Sequence, residues 1–160
     1  MSDVDERDVR ILTFLSQNGR AKLRQLAELL GITVPSVKNR VKKLERLRAI
    51  RGYVTIIDPS YLGLMCRAVI MIKLRFRDEA SLSILQGFSK HSSVHSLYIT
   101  RGRFDALMLC DFKNPEEVKK FAKAIKEKLG KALDYVEWAF IEEEVKECRL
   151  PMRTPPDSEL

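Results

Sequence analysis

The sequence predicts an α+β protein, with an N-terminal winged helix-turn-helix followed by a ferredoxin-like βαββαβ domain. Three amphipathic helices come first, the third is strongly basic, and the second half alternates in the order β-α-β-β-α-β. The 160 residues have room for two small domains, and a hydrophobic content of 45% allows each a core. The predicted segments are the helix-turn-helix over 1–52, a wing strand and linker over 53–65, the second domain over 66–148, and a disordered tail over 149–160.

The first two helices are marked by caps and by apolar residues at helical spacing. Asp5 caps a helix over residues 5–17, and Asp8 supplies the second half of a capping box. The second helix covers residues 22–30 and ends at Gly31, a residue type common just beyond helix ends. Its start has no Ser, Thr, Asp or Asn cap, which predicts a slightly less stable helix.

The third helix begins after Thr33, a good capping residue, and divides into an apolar and a basic face. From Thr33 to Arg51 there are seven basic residues and one acid, Glu45. Arg40 lies nearer the apolar side and is expected to serve structure as much as binding. The apolar face consists of Val37, Val41, Leu44 and Leu47.

This division suits a helix that enters the DNA major groove. A groove about 12 Å wide admits one helix, whose polar face meets base edges while its apolar face stays in the core. Asn39 can bond adenine with two hydrogen bonds, whereas Lys43, Arg46 and Arg51 suit phosphates. An ordinary amphipathic surface helix is the alternative, which the glycine turn, the basic bias and the following strand disfavour. The expected DNA contacts are Ser36, Lys38, Asn39, Arg40, Lys42, Lys43, Arg46 and Arg51.

A strand over residues 53–57 is expected to form the wing, and the second domain follows the linker. Two helices can cover only one face of its sheet, so the other face predicts a partner subunit. Coverage by the chain's own linker is the alternative. The predicted strands are 66–76, 93–100, 104–112 and 132–147, the helices are 79–90 and 115–129, and the turn Arg101-Gly102-Arg103 joins the two middle strands.

Several functional classes are disfavoured. Three widely spaced cysteines predict buried thiols in a reducing cytoplasm rather than a zinc site or disulfides. His91 and His95 lie four residues apart without a neighbouring third ligand, so no metal is expected. No signal peptide, membrane span, phosphate loop or catalytic triad is recognisable, which predicts a cytoplasmic protein that is not an enzyme and holds no cofactor.

The run from Asp5 to Leu64 resembles the Lrp/AsnC family of bacterial and archaeal regulators. The resemblance implies a sequence-specific transcription regulator that binds double-stranded DNA as a homodimer or a larger assembly up to an octamer, and that responds to an amino acid. The matching motifs are Asp5-Glu6-Arg7-Asp8-Val9-Arg10-Ile11-Leu12, Gly31-Ile32-Thr33, Arg40-Val41-Lys42-Lys43-Leu44-Glu45, Ile50-Arg51-Gly52-Tyr53, Ile57-Asp58-Pro59, Leu62-Gly63-Leu64 and Gly102-Arg103-Phe104-Asp105.

The resemblance also implies an effector site at the hairpin of the second domain. By motif it maps to Thr100, Gly102, Arg103, Phe104 and Asp105. Arg103 would pair a carboxylate and Asp105 an ammonium group, a combination that suits an amino acid. Ordinary turn chemistry, with Asp105 as a hairpin hydrogen-bond acceptor, is the alternative.

Two other functions share the scaffold. An architectural DNA-binding protein would use the same residues and differ only in the ratio of specific to non-specific affinity. An enzyme similar to the siroheme decarboxylases would need His and Arg residues around a tetrapyrrole pocket, and only two histidines are present.

Overall fold

A computed structural model describes residues 3–145, and the chain divides into two compact units between Ile56 and Ile57. This point lies within the segment 53–65 that we expected to contain the wing strand and linker. Each unit has its own cluster of buried apolar side chains. The order of elements confirms the predicted fold class, a helix-turn-helix followed by a βαββαβ domain.

Residues 3–56 of the N-terminal unit contain three helices: α1 (Glu6–Gln17), α2 (Leu23–Leu30) and α3 (Val34–Arg46). The three helices pack against one another through apolar residues at helical spacing. The fully buried members are Ile11 on α1, Leu26 on α2, and Val37 and Leu44 on α3.

The predicted caps are present at both ends of the turn that orients α3. Gly31 ends α2 with φ 62°, in the left-handed conformation that favours glycine. The Thr33 hydroxyl accepts a hydrogen bond from the backbone N–H of Ser36 at 3.4 Å. Leu47 departs from the predicted apolar face, because α3 ends at Arg46 and Leu47 is 42% exposed.

The wing strand predicted over residues 53–57 is not formed. Its apolar side chains are largely solvent-exposed, with Val54 89% and Ile56 70% accessible. A strand needs a neighbour that takes up its backbone hydrogen bonds, and within residues 3–145 no backbone hydrogen bond joins 53–57 to another segment. Beta propensity alone therefore predicted the wrong structure here. The linker contains a 3₁₀ turn over Pro59–Leu62.

The second unit is a four-stranded antiparallel sheet with two helices. In chain order it comprises β1 (Cys66–Leu74), α4 (Glu79–Gly87), β2 (Val94–Ile99), β3 (Ala106–Phe112), α5 (Pro115–Leu129) and β4 (Leu133–Phe140). The strand order across the sheet is β2-β3-β1-β4. The central strands β1 and β3 are thus separated in sequence by a helix and a strand, as in the predicted ferredoxin-like pattern.

The two faces of this sheet differ in burial. Ile70 and Ile72 of β1 and Met108 of β3 are fully buried in one cluster with residues of α5. Alternate residues point to the opposite face, which no helix of residues 3–145 covers and which we call the open face. Its apolar and aromatic residues include Val69, Met71, Tyr98, Leu107, Leu109, Tyr135 and Ala139, none of which is fully buried. The prediction that two helices cover one face is confirmed.

The strands are shorter than predicted. The last strand ends at Phe140, paired with Ala68, rather than at residue 147. The third strand begins at Ala106 rather than at residue 104, and the Phe104 ring contacts Tyr135 at a centroid distance of 6.1 Å. Pairing stops where the neighbouring strand ends, which a pattern within one strand does not reveal. Cys148 and the predicted tail over 149–160 lie outside the described residues.

Candidate DNA interface and hairpin site

The polar face of α3 is open to solvent in the N-terminal unit. The buried side of the helix faces α1 and α2, so the other side points outward. Among residues 3–145, none of Lys38, Asn39, Lys42 or Arg46 has a side-chain hydrogen bond or ion pair. The expected contact residues that are exposed are Ser36, Lys38, Asn39, Lys42, Arg46 and Arg51.

The other two expected contacts, Arg40 and Lys43, are bound by acidic residues of α1. The Asp8 side chain is fully buried and accepts from Arg40 Nη1 at 2.7 Å and from Lys43 Nζ at 2.9 Å. The same Arg40 nitrogen donates to Asp5 at 2.7 Å. The Asp8 and Asp5 carboxylates also accept each other's backbone N–H, which closes the predicted capping box.

These ion pairs stabilise the charged form of Asp8. Burial alone raises the pKa of its carboxyl, but hydrogen bonds from Lys43, Arg40 and the backbone of Asp5 outweigh burial and hold the pKa below the ordinary 3.8. The pKa of Asp5 is lowered as well, by its bonds with the Asp8 backbone and Arg40. The buried charge is therefore retained at neutral pH.

The expected DNA contacts thus divide into two groups. Arg40 and Lys43 join α3 to α1, so their positive charge is offset within the unit, whereas the other six side chains are exposed to solvent. The position of Arg40 near the apolar side indicated this role, but nothing in the sequence indicated Asp8 as the partner of both cations. Asp8 lies 32 positions from Arg40 and 35 positions from Lys43 along the chain, and contacts over such separations leave no periodic pattern in the sequence.

At the hairpin of the second unit, Asp105 is buried and bound by its own chain. Its carboxylate accepts from the backbone N–H of Leu74 at 3.0 Å, from Arg77 Nη1 at 2.8 Å and from Lys73 Nζ at 3.1 Å. Burial raises the pKa of Asp105, but these donors reverse that effect and lower it overall. The contacts favour the hairpin-acceptor interpretation over an ammonium-binding role.

The remaining predicted effector residues are partly occupied by contacts within the turn. The Thr100 hydroxyl donates to the Phe104 carbonyl at 2.8 Å, and the Arg103 guanidinium lies 5.3 Å from the centre of the Phe104 ring. Gly102 has φ 149°. A depression of about 470 Å³ beside the turn is lined by Arg77, Leu82, Arg101, Gly102 and Asp105.

Both histidines make hydrogen bonds close to their own positions in the chain. His91 Nδ1 accepts from the backbone of Ser93, and His95 lies against Ser96. Residues 3–145 contain no cluster of three or more His, Cys, Asp or Glu side chains able to hold a metal ion. Across the same range, every helix is too short or too polar to cross a bilayer.

Comparison with known proteins agrees with this geometry. Residues 4–51 match a family model described as winged helix-turn-helix DNA-binding. An uncharacterized HTH-type transcriptional regulator of Pyrococcus furiosus is 37% identical over 127 residues, which cover 79% of this chain and 82% of the relative.

Two solved structures share the fold along nearly the whole chain. An AsnC family transcriptional regulator from Agrobacterium tumefaciens has a TM-score of 0.82 at 23% identity, covering 92% of this chain and 97% of that one. The transcriptional regulator NMB0573 of Neisseria meningitidis, solved as a complex with L-Met, has a TM-score of 0.81 at 24% identity, covering 94% and 97%.

A helix-turn-helix with an exposed basic third helix, joined to a βαββαβ unit, defines a class of two-domain transcription regulators. The relative from Pyrococcus furiosus is named as a transcriptional regulator. The chain belongs to the Lrp/AsnC family, which confirms the resemblance carried by its sequence motifs.

Proposed function

We propose that this chain is a sequence-specific DNA-binding regulator that reads operator DNA with the exposed face of α3. One observation carries the proposal: Lys38, Asn39 and Lys42 project from the solvent side of a helix whose opposite side forms the core. Asn39 supplies the directional contact to a base edge, and the lysines supply contacts to guanine or phosphate. DNA is in the cytoplasm of a prokaryotic cell, and we place the protein there.

Selection of bound fragments from a genomic library, followed by affinity measurements on the selected duplex, tests this proposal. Six or more phosphate contacts would lower affinity on the order of a thousandfold between about 50 and 200 mM salt. A flat salt dependence, or a library without enrichment, would contradict it. An architectural protein would show the same salt dependence with no enriched sequence, so the selection separates these two functions.

We propose that the open face of the sheet is where two copies of the chain meet. The face has an apolar centre, formed by Val69, Met71, Leu107 and Leu109 on the two central strands. Charged groups border this apolar centre. At one end, the Arg67 guanidinium forms an ion pair with the Asp111 carboxylate at 2.6 Å. An apolar centre with a polar border is the usual arrangement of a protein interface. Assembly beyond the dimer, up to an octamer, is part of the same proposal.

For the effector, we propose a small molecule with a carboxylate group, bound at the depression beside the hairpin. Arg101 borders the depression and has no side-chain partner in the described chain, so it joins Arg103 as a candidate for the carboxylate. The Neisseria regulator bound to L-Met supports an amino acid as the ligand class. Thermal unfolding with each amino acid in turn tests this, and a Tm rise lost in Arg101→Gln would support it.

We propose that this chain is not an enzyme. The siroheme decarboxylase alternative needs substrate-handling histidines, and the two histidines here lie against their own neighbouring serines. Mixing the protein with siroheme and recording its absorbance spectrum tests the alternative directly.

A further inference from the structure

Arg48 has a backbone conformation that arginine rarely adopts. It lies two residues beyond the end of α3, with φ 55°, in the left-handed region. The turn around it is closed, because the N–H groups of Ala49 and Ile50 both donate to the Leu44 carbonyl, at 2.9 and 3.2 Å. The backbone of Arg48 is therefore held in this conformation by the hydrogen bonds on its C-terminal side.

The chain uses glycine at its other left-handed positions. Within the described range, every other residue with positive φ is a glycine, namely Gly31, Gly63, Gly102 and Gly130. Gly31 provides the closest comparison, because it follows the end of α2 with φ 62° and the next residue, Ile32, donates to a carbonyl five positions back, as Ala49 does after Arg48. A Cβ atom destabilises this conformation, so glycine is the residue that backbone energetics alone would favour at position 48.

The Arg48 side chain does not compensate through any contact within the described part of its chain. It is exposed, and among residues 3–145 it has neither an ion pair nor a side-chain hydrogen bond. Arg46 and Arg51 on either side are likewise exposed and unpaired in that range. Three unpaired guanidinium groups thus lie within six residues at the C-terminal end of the helix that we propose enters DNA.

We propose that Arg48 contacts a DNA phosphate, and that this contact is why arginine stands at a position suited to glycine. Strained backbone positions that persist in proteins are frequently functional. The inference rests on the proposed DNA-binding function and adds a contact that lies outside the expected set. A guanidinium on a fixed turn can hold a phosphate with two hydrogen bonds and without sequence preference. The competing explanation is that Arg48 only neutralises the negative end of the α3 dipole.

Arg48→Gly separates these explanations, because they predict opposite effects on stability. A DNA contact predicts that the full-length variant unfolds about 2–4 °C higher, through relief of backbone strain. It also predicts binding to a labelled mixed-sequence duplex weakened about three- to tenfold, with the slope of log K against log salt reduced by about 0.9 per contact. A purely structural role predicts a lower Tm with unchanged affinity and slope, and that result would overturn the proposal.

Matched variants complete the test. Arg48→Asn tolerates the left-handed conformation without charge and should bind as weakly as Arg48→Gly, whereas Arg48→Lys should keep the wild-type salt slope. Lys120→Gln removes one charge from the exposed side of α5 and controls for net charge. If wild-type protein ignores the duplex at low salt, the proposed function itself fails. If wild-type protein binds and Arg48→Gly matches it in affinity and slope, only this inference fails.

Discussion

Asp8 shows how a single residue can determine the position of the helix proposed to read DNA. A buried carboxylate is unfavourable unless charged or hydrogen-bonding groups surround it. Here it is bound by Arg40 and Lys43 of α3 and by the backbone of Asp5. These bonds attach α3 to α1 at two points one turn apart, and so resist rotation of α3 about its own axis.

We predict that Asp8→Asn destabilises the protein by about 2–3 kcal/mol at pH 7. This is below the 3–5 kcal/mol typical of fully buried pairs, because Arg40 and Lys43 are 24% and 32% exposed and can be hydrated in the variant. Urea unfolding would measure the difference. Asp3→Asn, at an exposed aspartate, is the control and should change stability little.

The same substitution predicts a pH dependence. The pKa of Asp8 is lower in the folded protein than its ordinary value of 3.8. Its stabilising contribution is therefore complete above about pH 4 and is lost as the pH falls through the lower, folded-state pKa. The stability difference between wild type and Asp8→Asn should shrink as the pH is lowered from 6 towards 2. A constant difference over that range would show that the Asp8 charge contributes nothing.

Asn39 and Lys42 should contribute to DNA binding in different ways. Asn39→Ala should cost about 1–3 kcal/mol on the selected operator and relax preference at one base pair, because an amide recognises a base edge. Lys42→Ala should weaken binding to all duplexes if Lys42 contacts phosphate, and reduce the salt slope by about one. Competition between operator and mixed-sequence DNA measures both, with Lys120→Gln as control. Equal losses on both duplexes for Asn39→Ala would contradict the base contact.

Among the helices, α2 has the weakest start. Lys22 occupies the cap position without a side-chain bond, although Gln25 already accepts the Lys22 backbone N–H at 2.8 Å. One half of a capping box is therefore present, and the hydroxyl acceptor is lacking. Short helices depend on capping hydrogen bonds, because few internal hydrogen bonds offset the free-energy cost of forming their first turn.

Lys22→Ser should complete the capping box and stabilise the protein by about 0.5–1 kcal/mol. Thermal unfolding would show this as a rise of about 2–4 °C per kcal/mol for a chain of this size. Lys22→Ala removes the lysine without supplying the hydroxyl and should give no such rise. An equal rise in Tm in both variants would mean that the added stability comes from loss of the lysine charge.

The open face of the sheet leads to a separate prediction about dimerisation. Leu109 lies on the open face, paired across the strands with Val69. Leu109→Glu places a charge in the proposed interface and should convert dimers to folded monomers, because an unpaired buried charge is costly. Sedimentation velocity measures the change. Lys123→Glu, on the exposed side of α5, is the control, and an unchanged oligomeric state in Leu109→Glu would exclude this face as the interface.

For the whole molecule, dimerisation and DNA binding should be coupled. A dimer presents two copies of α3, so binding to one half-site raises the effective concentration of the second copy at the other. Leu109→Glu should therefore lower affinity for a two-half-site operator by about 10²-fold or more. Affinity for a single half-site should stay within a few-fold of wild type. Equal losses on both duplexes would indicate damage to α3 itself rather than loss of avidity.

The features that the sequence determined by itself are local. The spans of α1, α3 and α5, the cap at Asp5 and the turn at Gly31 follow from spacings within one or two helical turns. The order of elements predicted the βαββαβ fold, and the two faces of α3 followed from its periodicity. These signals succeed because helix formation and capping depend on nearby residues.

Only the tertiary structure decided which distant groups meet. It placed Arg40 and Lys43 against Asp8, gave Asp105 its three donors, and within the described chain paired residues 53–57 with no strand. It also revealed the left-handed backbone at Arg48. The physical reason is that ion pairs, strand pairing and turn closure depend on the relative positions of packed elements. Those positions are set by the core as a whole, and no short segment encodes them.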